Sequence, residues 1–415
     1  MEEISPRQNS TSAAGSEATF FRSQIGPILF LAGIFFLNFL GRIILAPLLP
    51  TIEKDLGLGH SEAGSLFLLI SMGYFISLLG SGFVASRLMH KRTIIFSATA
   101  IGIALLVISS SNSLLGIRMG LVVLGLAAGL YLPSGISTLT SMISPSQWGK
   151  ALAIHELAPN LAFVAAPLLS EVLLQWFSWR GIMAVMGIAS MAAGVTFGRF
   201  GKSGKFPGDA PSVTSFRTIL AKPAFWIMTI LFSLAITGSL GVYAMLPLYL
   251  VTERSMDQYW ANTLVALSRV SGLGMAFLAG WATDRFGARR IMAAVFLLTG
   301  TMTILLGVIK GYWMVLIVFA QPMLAVCFFP AGFAALSCIG PPSSRNVAVS
   351  LTIPFAFLIG AGAIPACIGI MGDAVSFALG FVLVGVFILM GFMLSLTLQL
   401  PEEYECPTTF SQEQR

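Results

Sequence analysis

The chain has 415 residues, of which 56% are hydrophobic and 10% are charged, and its mean hydropathy is +0.89. A soluble protein carries roughly 25% charged residues and about 45–50% apolar ones. This composition excludes a water-soluble enzyme, a nucleic-acid-binding protein and a disordered chain. Long apolar stretches recur from Ile28 to Leu398, and each can cross a hydrocarbon layer about 30 Å thick. The composition therefore predicts an all-α polytopic membrane protein.

Cutting the sequence at charged and turn-rich breaks predicts twelve transmembrane helices. Their limits are 27–49, 62–85, 93–110, 114–138, 151–173, 180–199, 223–251, 259–282, 291–309, 312–338, 347–371 and 374–399. A longer polar break divides them into two groups of six. The predicted organisation is a disordered cytoplasmic tail (1–25), a first six-helix bundle (26–200), a cytoplasmic linker (201–222), a second bundle (223–400) and a cytoplasmic tail (401–415).

The basic residues predict the orientation of the chain. If both termini are cytoplasmic, sixteen Lys and Arg residues lie on the cytoplasmic side and five lie outside, while Arg42 and Arg269 remain within predicted helices. This distribution follows the positive-inside rule, so the net charge of +6 requires neither a nucleic acid nor an acidic partner. We expect a multi-pass monomer in the lipid bilayer of the inner or plasma membrane.

An internal repeat relates the two groups of helices. Gly82–Arg92 recurs as Gly280–Arg290 at an offset of 198, and Tyr131–Gly135 recurs as Phe328–Gly332 at an offset of 197. Two matches at nearly the same offset predict a duplicated chain. We expect two six-helix bundles in parallel arrangement, with a substrate site between them near the middle of the membrane.

The second copy of the repeated loop resembles the signature of the major facilitator superfamily. The residues that match are Gly280, Asp284, Arg285, Gly287, Arg289 and Arg290. In the first copy, Ser86 stands where the superfamily usually has Asp, and Met89 stands where it has Gly. The resemblance implies the superfamily's fold of two pseudo-symmetric six-helix bundles and a secondary transporter that works by alternating access.

In the superfamily this loop holds the two bundles together in the outward-open state. The resemblance therefore implies a cytoplasmic gate formed by Asp284, Arg285, Arg289 and Arg290, with Arg87 as the basic residue of the first copy. A basic loop that only sets the membrane topology is the alternative.

Ionisable residues at membrane depth are the candidate functional residues, because burying a charge in hydrocarbon is costly. Arg269 lies near the middle of its predicted helix, eleven residues before Gly280, and its repeat mate is Ser71. About ten residues, or 15 Å of helix, separate it from either surface, so snorkelling is a poor alternative. A substrate contact and a packing role with bonds to backbone carbonyls both remain open.

Arg42 lies in the first predicted helix, and Asn38 lies one turn earlier on the same face. Snorkelling of Arg42 towards Glu53 and Asp55 is the alternative to a substrate contact. Superfamily members that carry organic or phosphorylated anions often have an arginine at about this place. The resemblance therefore favours an organic-anion branch of the superfamily.

Two guanidiniums near mid-depth predict the chemistry of the substrate. Their planar forks suit a carboxylate, sulfonate or phosphate, and neither loses its proton readily. We therefore predict a small organic anion bound by Arg42 and Arg269, with Asn38 and Tyr243 setting its orientation. Further possible cavity residues are Tyr74, Tyr131 and Gln321.

Glu156 lies about six residues into the fifth predicted helix and is the candidate proton carrier. A gate salt bridge, or a side chain that reaches the cytoplasmic interface, is the alternative. The neighbouring His155 projects about 100° away on a helix. We therefore expect no relay and no metal site from this pair.

The sequence contains no nucleophile–base pair, phosphate-binding loop, metal cluster or cofactor motif. We expect no enzyme activity and no bound cofactor or metal. The predicted function is secondary active transport of a small organic anion, with a proton as co-substrate. Anion exchange, drug or solute efflux and a non-transporting membrane sensor are the alternatives, although Ala166–Leu169 replaces the signature of proton-driven drug exporters.

Overall fold

The computed structural model describes residues 7–201, 203–208, 213–339 and 345–398. The helices of the first half are α1 (Arg7–Ile43), α2 (Leu45–Leu56), α3 (His60–Leu88), α4 (His90–Ser110), α5 (Leu114–Gly129), α6 (Tyr131–Ser141), α7 (Trp148–Leu174) and α8 (Trp179–Phe200). The helices of the second half are α9 (Val213–Leu220), α10 (Pro223–Ile236), α11 (Val242–Thr252), α12 (Gln258–Phe286), α13 (Ala288–Val308), α14 (Tyr312–Ala325), α15 (Phe328–Ser337), α16 (Arg345–Phe357), α17 (Ile364–Ala374) and α18 (Phe377–Thr397).

Within these ranges, twelve helical spans are long and apolar enough to cross a membrane, which confirms the predicted fold class. A spanning helix satisfies its own backbone groups where no water can do so. The observed limits lie within a few residues of the predicted ones, except that the first span continues to Leu56 instead of ending at residue 49. α1 also begins at Arg7. The helix thus includes residues 7–25, within the segment predicted as a cytoplasmic tail, and this part contains no proline.

Prolines divide some of the spans into two helices. The ring of a proline clashes with the carbonyl group four residues earlier. α1 ends at Ile43, four residues before Pro47, and α5 ends at Gly129, four residues before Pro133. The first span therefore consists of two successive helices, α1 and α2, and it extends beyond its predicted end because α2 continues past the prolines.

The seventh and eleventh spans each contain a π-helical segment, Thr237–Gly241 and Leu358–Ala363. The two segments touch at glycines, since a Cβ atom on Gly241 would lie 2.5 Å from the carbonyl oxygen of Gly360. Side chains at these two positions would separate the spans. A π-helical segment also breaks the regular backbone bonding of the helix and often marks a functional site.

The two bundles are bonded together at one end, which we call the closed end. The carboxylate of Asp373, at the end of α17, accepts hydrogen bonds from the backbone N–H groups of His60 (2.9 Å) and Ser61 (2.8 Å) at the start of α3. Asn262 of α12 donates to the Glu171 carboxylate of α7 (2.5 Å). Further side-chain hydrogen bonds between the bundles, from Gln258 to Pro47 and Thr51 and from Asn262 to Pro47, lie at the same end.

The opposite end, which we call the basic end, carries the repeated loop in two copies. Met89 separates α3 from α4, and Gly287 separates α12 from α13. The φ and ψ angles are 67° and 155° at Met89 and 85° and 145° at Gly287. This part of backbone space is essentially restricted to glycine, and a residue held there stores about 1–3 kcal/mol of strain.

Replacing Met89 with glycine is therefore expected to stabilise the protein. Met89 is 41% exposed, so little burial is lost. The relief of strain exceeds the added flexibility of the unfolded chain, about 0.4–1 kcal/mol, and we expect a net gain of about 1 kcal/mol. The midpoint of thermal unfolding in detergent measures the change. The control, Leu88→Gly, lies in the last turn of α3 and should lower the midpoint; a similar fall for Met89→Gly contradicts the strain.

The first part of the linker is bonded to the first bundle. The backbone N–H groups of His90 and Lys91, at the start of α4, donate to the carbonyl oxygens of Phe206 (3.2 Å) and Gly204 (2.7 Å). The first N–H groups of a helix have no partner within it, and these two find partners in the linker. The segment 203–208 is thus part of the first bundle.

Candidate functional site

A cavity lies between the two bundles, beside the π-helical segments. It is lined by Phe39, Arg42, Ile43, Phe67, Ile70, Ser71, Tyr74, Leu240, Tyr243, Ala244, Phe357 and Ala361. These residues come from the first and second spans of one bundle and from the seventh and eleventh spans of the other. The open volume is about 40 Å³, which is room for about three water molecules. A larger ligand therefore requires the surrounding side chains to move.

Arg42 lies in the wall of this cavity and is only 7% exposed. Its guanidinium carbon lies 4.3 Å from the ring centre of Tyr74, 4.8 Å from that of Phe39 and 5.5 Å from that of Phe357. Such distances are those of cation–π contacts. The Nε atom has no hydrogen-bond partner among the described residues. Arg42 thus has three aromatic neighbours and an unused donor beside the cavity.

Arg42 does not snorkel towards the acids at the end of α2. Glu53 contacts His60, with 2.8 Å between the carboxylate oxygen and the ring nitrogen. Asp55 accepts hydrogen bonds from Trp179 and Arg180. Both acids therefore have partners at the closed end.

Arg269 lies on α12 and is partly buried. Its Nη2 atom donates to the carbonyl oxygen of Ser239 (3.0 Å), within the π-helical segment of the seventh span. The guanidinium carbon lies 4.7 Å from the ring centre of Phe163 and 4.9 Å from that of Tyr243. Its Nε atom is buried without a hydrogen-bond partner among the described residues. Arg269 thus forms one hydrogen bond to a backbone carbonyl, as expected for a packing role. Its Nε donor remains without a partner among the described residues, as a substrate contact requires.

The two arginines belong to one aromatic cluster. The ring centres of Phe39 and Phe163 are 5.2 Å apart, and those of Phe163 and Tyr243 are 4.9 Å apart. Phe39 contacts Arg42, and Phe163 contacts Arg269. Within the described ranges, neither arginine forms an ion pair. The region between the bundles thus carries two positive charges without a counter-charge, which is suited to an anion.

The other two predicted substrate residues lie in different places, one in the cavity wall and one inside the first bundle. Tyr243 lines the cavity, and its buried hydroxyl has no hydrogen-bond partner in the described part of the chain. Asn38 is not in the cavity wall; it is buried and donates to the carbonyl oxygen of Ala128 (3.1 Å), which joins α1 to α5. In this conformation the Asn38 side chain packs within its own bundle, so its contact with the substrate stays a prediction.

Of the three further possible cavity residues, one lies in the cavity wall and two lie inside a bundle. Tyr74 lines the cavity. Gln321 is buried inside the second bundle and donates to Gly238 (2.8 Å) and Thr303 (3.3 Å). Tyr131 is buried inside the first bundle, where its ring stacks on that of Phe35, and it is not among the lining residues.

Glu156 lies on α7 with 52% of its side chain exposed, and it contacts His155. The distance between the Glu156 carboxylate oxygen and Nδ1 of His155 is 3.4 Å. Nε2 of His155 lies 3.1 Å from the hydroxyl of Tyr131, which donates to the carbonyl oxygen of Leu31 (2.7 Å). The two neighbouring side chains thus form a chain of contacts that the helical angle alone does not predict. Side-chain rotation brings them together.

The predicted gate residues lie at the basic end and are exposed. Arg285 lies over the rings of Trp281 and Phe286, and Arg289 donates to the carbonyl oxygen of Leu396 in its own bundle. In the described part of the chain, Asp284 and Arg87 form no ion pair. Hydrogen bonds join the two bundles at the closed end, whereas the described gate residues form no ion pair across the basic end.

The phenylalanines that surround the two arginines are not among the residues predicted from the sequence. Phe39 lies three residues before Arg42 and could have been found as its neighbour on the helix. Phe163 and Phe357 lie on other spans. The chain has 32 phenylalanines, and no sequence pattern separates those at the cavity from those that face lipid.

Comparisons with known proteins agree with this architecture. The family model of the Major Facilitator Superfamily matches residues 31–281. The membrane sensor protein UhpC of Salmonella typhimurium is 26% identical over 302 residues, which cover 66% of this chain and 67% of that protein. The probable sulfoacetate transporter SauU of Cupriavidus necator is 23% identical over 277 residues, covering 62% and 64%.

Among solved structures, a bacterial homologue of the human lysosomal transporter Spinster, in an inward-facing and unoccupied conformation, superposes with a TM-score of 0.77. The alignment has 15% sequence identity and covers 89% of this chain and 96% of that one. This similarity establishes the twelve-helix fold.

Proposed function

Because this chain belongs to the Major Facilitator Superfamily, we propose that it is a secondary transporter that moves a small organic anion across the cell membrane by alternating access. The observation that carries the proposal is the pair of arginines, Arg42 and Arg269, which contact one aromatic cluster between the bundles and have no acidic partner among the described residues. An arginine at membrane depth costs about 2.5–3.5 kcal/mol. A bound anion offsets this cost through charge-assisted hydrogen bonds.

The conformation supports the transport cycle. Alternating access requires one end of the protein to be sealed while the other end opens. The Asp373 contacts seal the closed end, and the basic end is the cytoplasmic one in the proposed orientation. This state would then face the cytoplasm. In the opposite state, the gate residues Asp284, Arg285, Arg289, Arg290 and Arg87 would form ion pairs with neighbouring helices and so hold the two bundles together at the basic end.

The relatives support the proposal at the level of chemical class. The name of SauU states that it is a probable sulfoacetate transporter, and sulfoacetate is a small organic anion. The name of UhpC states a membrane sensor, and this favours a second candidate, a non-transporting sensor with the same anion site. Binding without flux distinguishes this candidate.

Uptake by proteoliposomes tests the proposal. Radiolabelled carboxylates, sulfonates and phosphates are presented with and without a pH gradient, beside neutral and cationic solutes. We expect saturable uptake of at least one anion and none of the cations, because cations are repelled by the two arginines. Saturable uptake of neutral or cationic solutes alone contradicts the anion site. Binding of an anion without uptake favours the sensor.

We further propose that Glu156 carries the coupling proton. Its carboxylate contacts the buried His155, which in turn contacts Tyr131, while the Glu156 side chain itself is half-exposed. This ionisable residue therefore connects buried groups with an exposed position. In Glu156→Gln, we expect that a pH gradient no longer stimulates uptake, whereas exchange of labelled for unlabelled anion continues. The matched control is Glu62→Gln, a glutamate of similar exposure at the closed end. Stimulation that persists in Glu156→Gln excludes this residue as the carrier and leaves anion exchange as the coupling mode.

A further inference from the structure

We infer that the transported anion has an apolar, ring-shaped body with its charge at one edge, as in an aromatic carboxylate or sulfonate. The inference rests on the proposed function and specifies which organic anions the site accepts. It is based on the apolar and aromatic side chains that line the cavity around Arg42. The proposed function is based instead on the two arginines that lack an acidic partner.

Most of the cavity wall cannot form side-chain hydrogen bonds. Eight of the twelve lining residues are Phe, Ile, Leu or Ala. Besides Arg42, the polar groups are the hydroxyls of Ser71, Tyr74 and Tyr243. A ligand with many hydroxyl groups would leave several of them without partners, and burying an unbonded hydroxyl is unfavourable. An apolar body loses nothing in such a cavity and gains from burial.

The rings around the arginines favour a flat ligand body. Phe39, Tyr74 and Phe357 surround Arg42, and the rings of Phe39 and Phe163 meet at 70°. Aromatic rings attract one another in offset or edge-to-face geometry. A ligand ring in this cavity would contact the edges and faces of these aromatic side chains. Its anionic group would accept a hydrogen bond from Nε of Arg42, which has no partner among the described residues.

A short dianion that bridges the two arginines fits the wall less well. Arg42 lines the cavity, but Arg269 is not among the lining residues and already donates to Ser239. The rings of Phe39 and Phe163 connect the two guanidiniums. One anionic group at Arg42 and an apolar body against the rings is thus the arrangement that the wall favours once the surrounding side chains move apart. The Tyr243 hydroxyl has no partner among the described residues, so it can donate a hydrogen bond to a substituent or accept one from it.

Competition in proteoliposomes tests the inference. The probes are benzoate and benzenesulfonate, sulfoacetate and succinate as small aliphatic anions, glucose 6-phosphate as a hydroxylated anion, and benzamide as an uncharged ring. We expect benzoate or benzenesulfonate to enter saturably and to be preferred over glucose 6-phosphate by about 100-fold or more, since unpaired polar groups cause discrimination of this size. Benzamide should compete weakly, because it lacks the charge.

A pair of matched variants tests the aromatic contribution. Phe357 lines the cavity, whereas Phe355 lies on the same helix and packs against Phe75 and Trp226. Phe357→Leu should raise the KM for benzoate about 3-fold to 10-fold, the range expected for one aromatic pair. Phe355→Leu should leave it unchanged.

The outcomes separate the two levels of the proposal. Preferred uptake of glucose 6-phosphate, sulfoacetate or succinate overturns the ring-shaped body and keeps the organic-anion transporter. Equal KM values for Phe357→Leu and Phe355→Leu also overturn the aromatic contacts. Saturable entry of benzamide with none of the anions, or no saturable uptake of any probe, rejects the proposed function itself and the inference with it.

Discussion

Replacing Arg42 with lysine is expected to reduce kcat/KM for anion uptake at least about 30-fold, which corresponds to about 2 kcal/mol of lost interaction with the anion. The charge is kept, but lysine has neither the planar fork that binds an anionic group at two points nor the flat surface that stacks on Tyr74, Phe39 and Phe357. The initial rate of uptake over a range of anion concentrations measures the effect. Arg42→Gln, which also removes the charge, should reduce uptake further.

The control for this substitution is Arg199→Lys. Arg199 lies in the last turn of α8 and is exposed, so the same chemical change there should leave transport unaltered. Gel filtration in detergent establishes that each variant is folded. Uptake by Arg42→Lys at the rate of the unsubstituted protein would show that the guanidinium fork does not contact the substrate.

Replacing Gly369 with valine is expected to reduce uptake to the level of empty liposomes, because the closed end can no longer close. A Cβ atom on Gly369 of α17 would lie 2.2 Å from the carbonyl oxygen of His60 in the other bundle. Backbone atoms cannot yield to such an overlap by a change of rotamer. The contact lies between the bundles rather than inside one, so each bundle keeps its own packing.

Distances between spin labels report the effect directly. Leu115 and Tyr312 lie at the closed end of the first and second bundles and are 71% and 94% exposed, so cysteines there accept labels without loss of packing. Gly369→Val should lengthen the distance between the labels. Gly80→Val is the control, because a Cβ atom on Gly80 meets nothing within 4 Å. Wild-type distances and uptake in Gly369→Val would refute the role of this contact.

The fold could be predicted because its signals are local and repeated. Each span is a long apolar run, and the two copies of the basic loop reveal the duplication. Arg42 and Arg269 stand out for the same reason, since a charged residue within an apolar run is rare. These features do not depend on which residues meet across the protein.

The details of the site depend on contacts between distant segments and could not be predicted in this way. Helical spacing places Asn38 and Arg42 on one face, but it does not show that Asn38 would find the carbonyl of Ala128. It places His155 and Glu156 about 100° apart, but it does not show that their side chains rotate towards each other. The contacts of Asp373 with the start of α3 join residues more than 300 positions apart.

The bonding of residues 203–208 to the first bundle has a mechanical consequence. On the other side of the linker, α9 is attached to the second bundle: Ile219 is fully buried, and the carbonyl of Leu220 accepts a hydrogen bond from Trp226. Five residue steps therefore separate the anchored Gly208 from the start of α9 at Val213. A chain of that length reaches at most about 18 Å when fully extended. The covalent tether thus limits how far its two anchor points can move apart during the cycle.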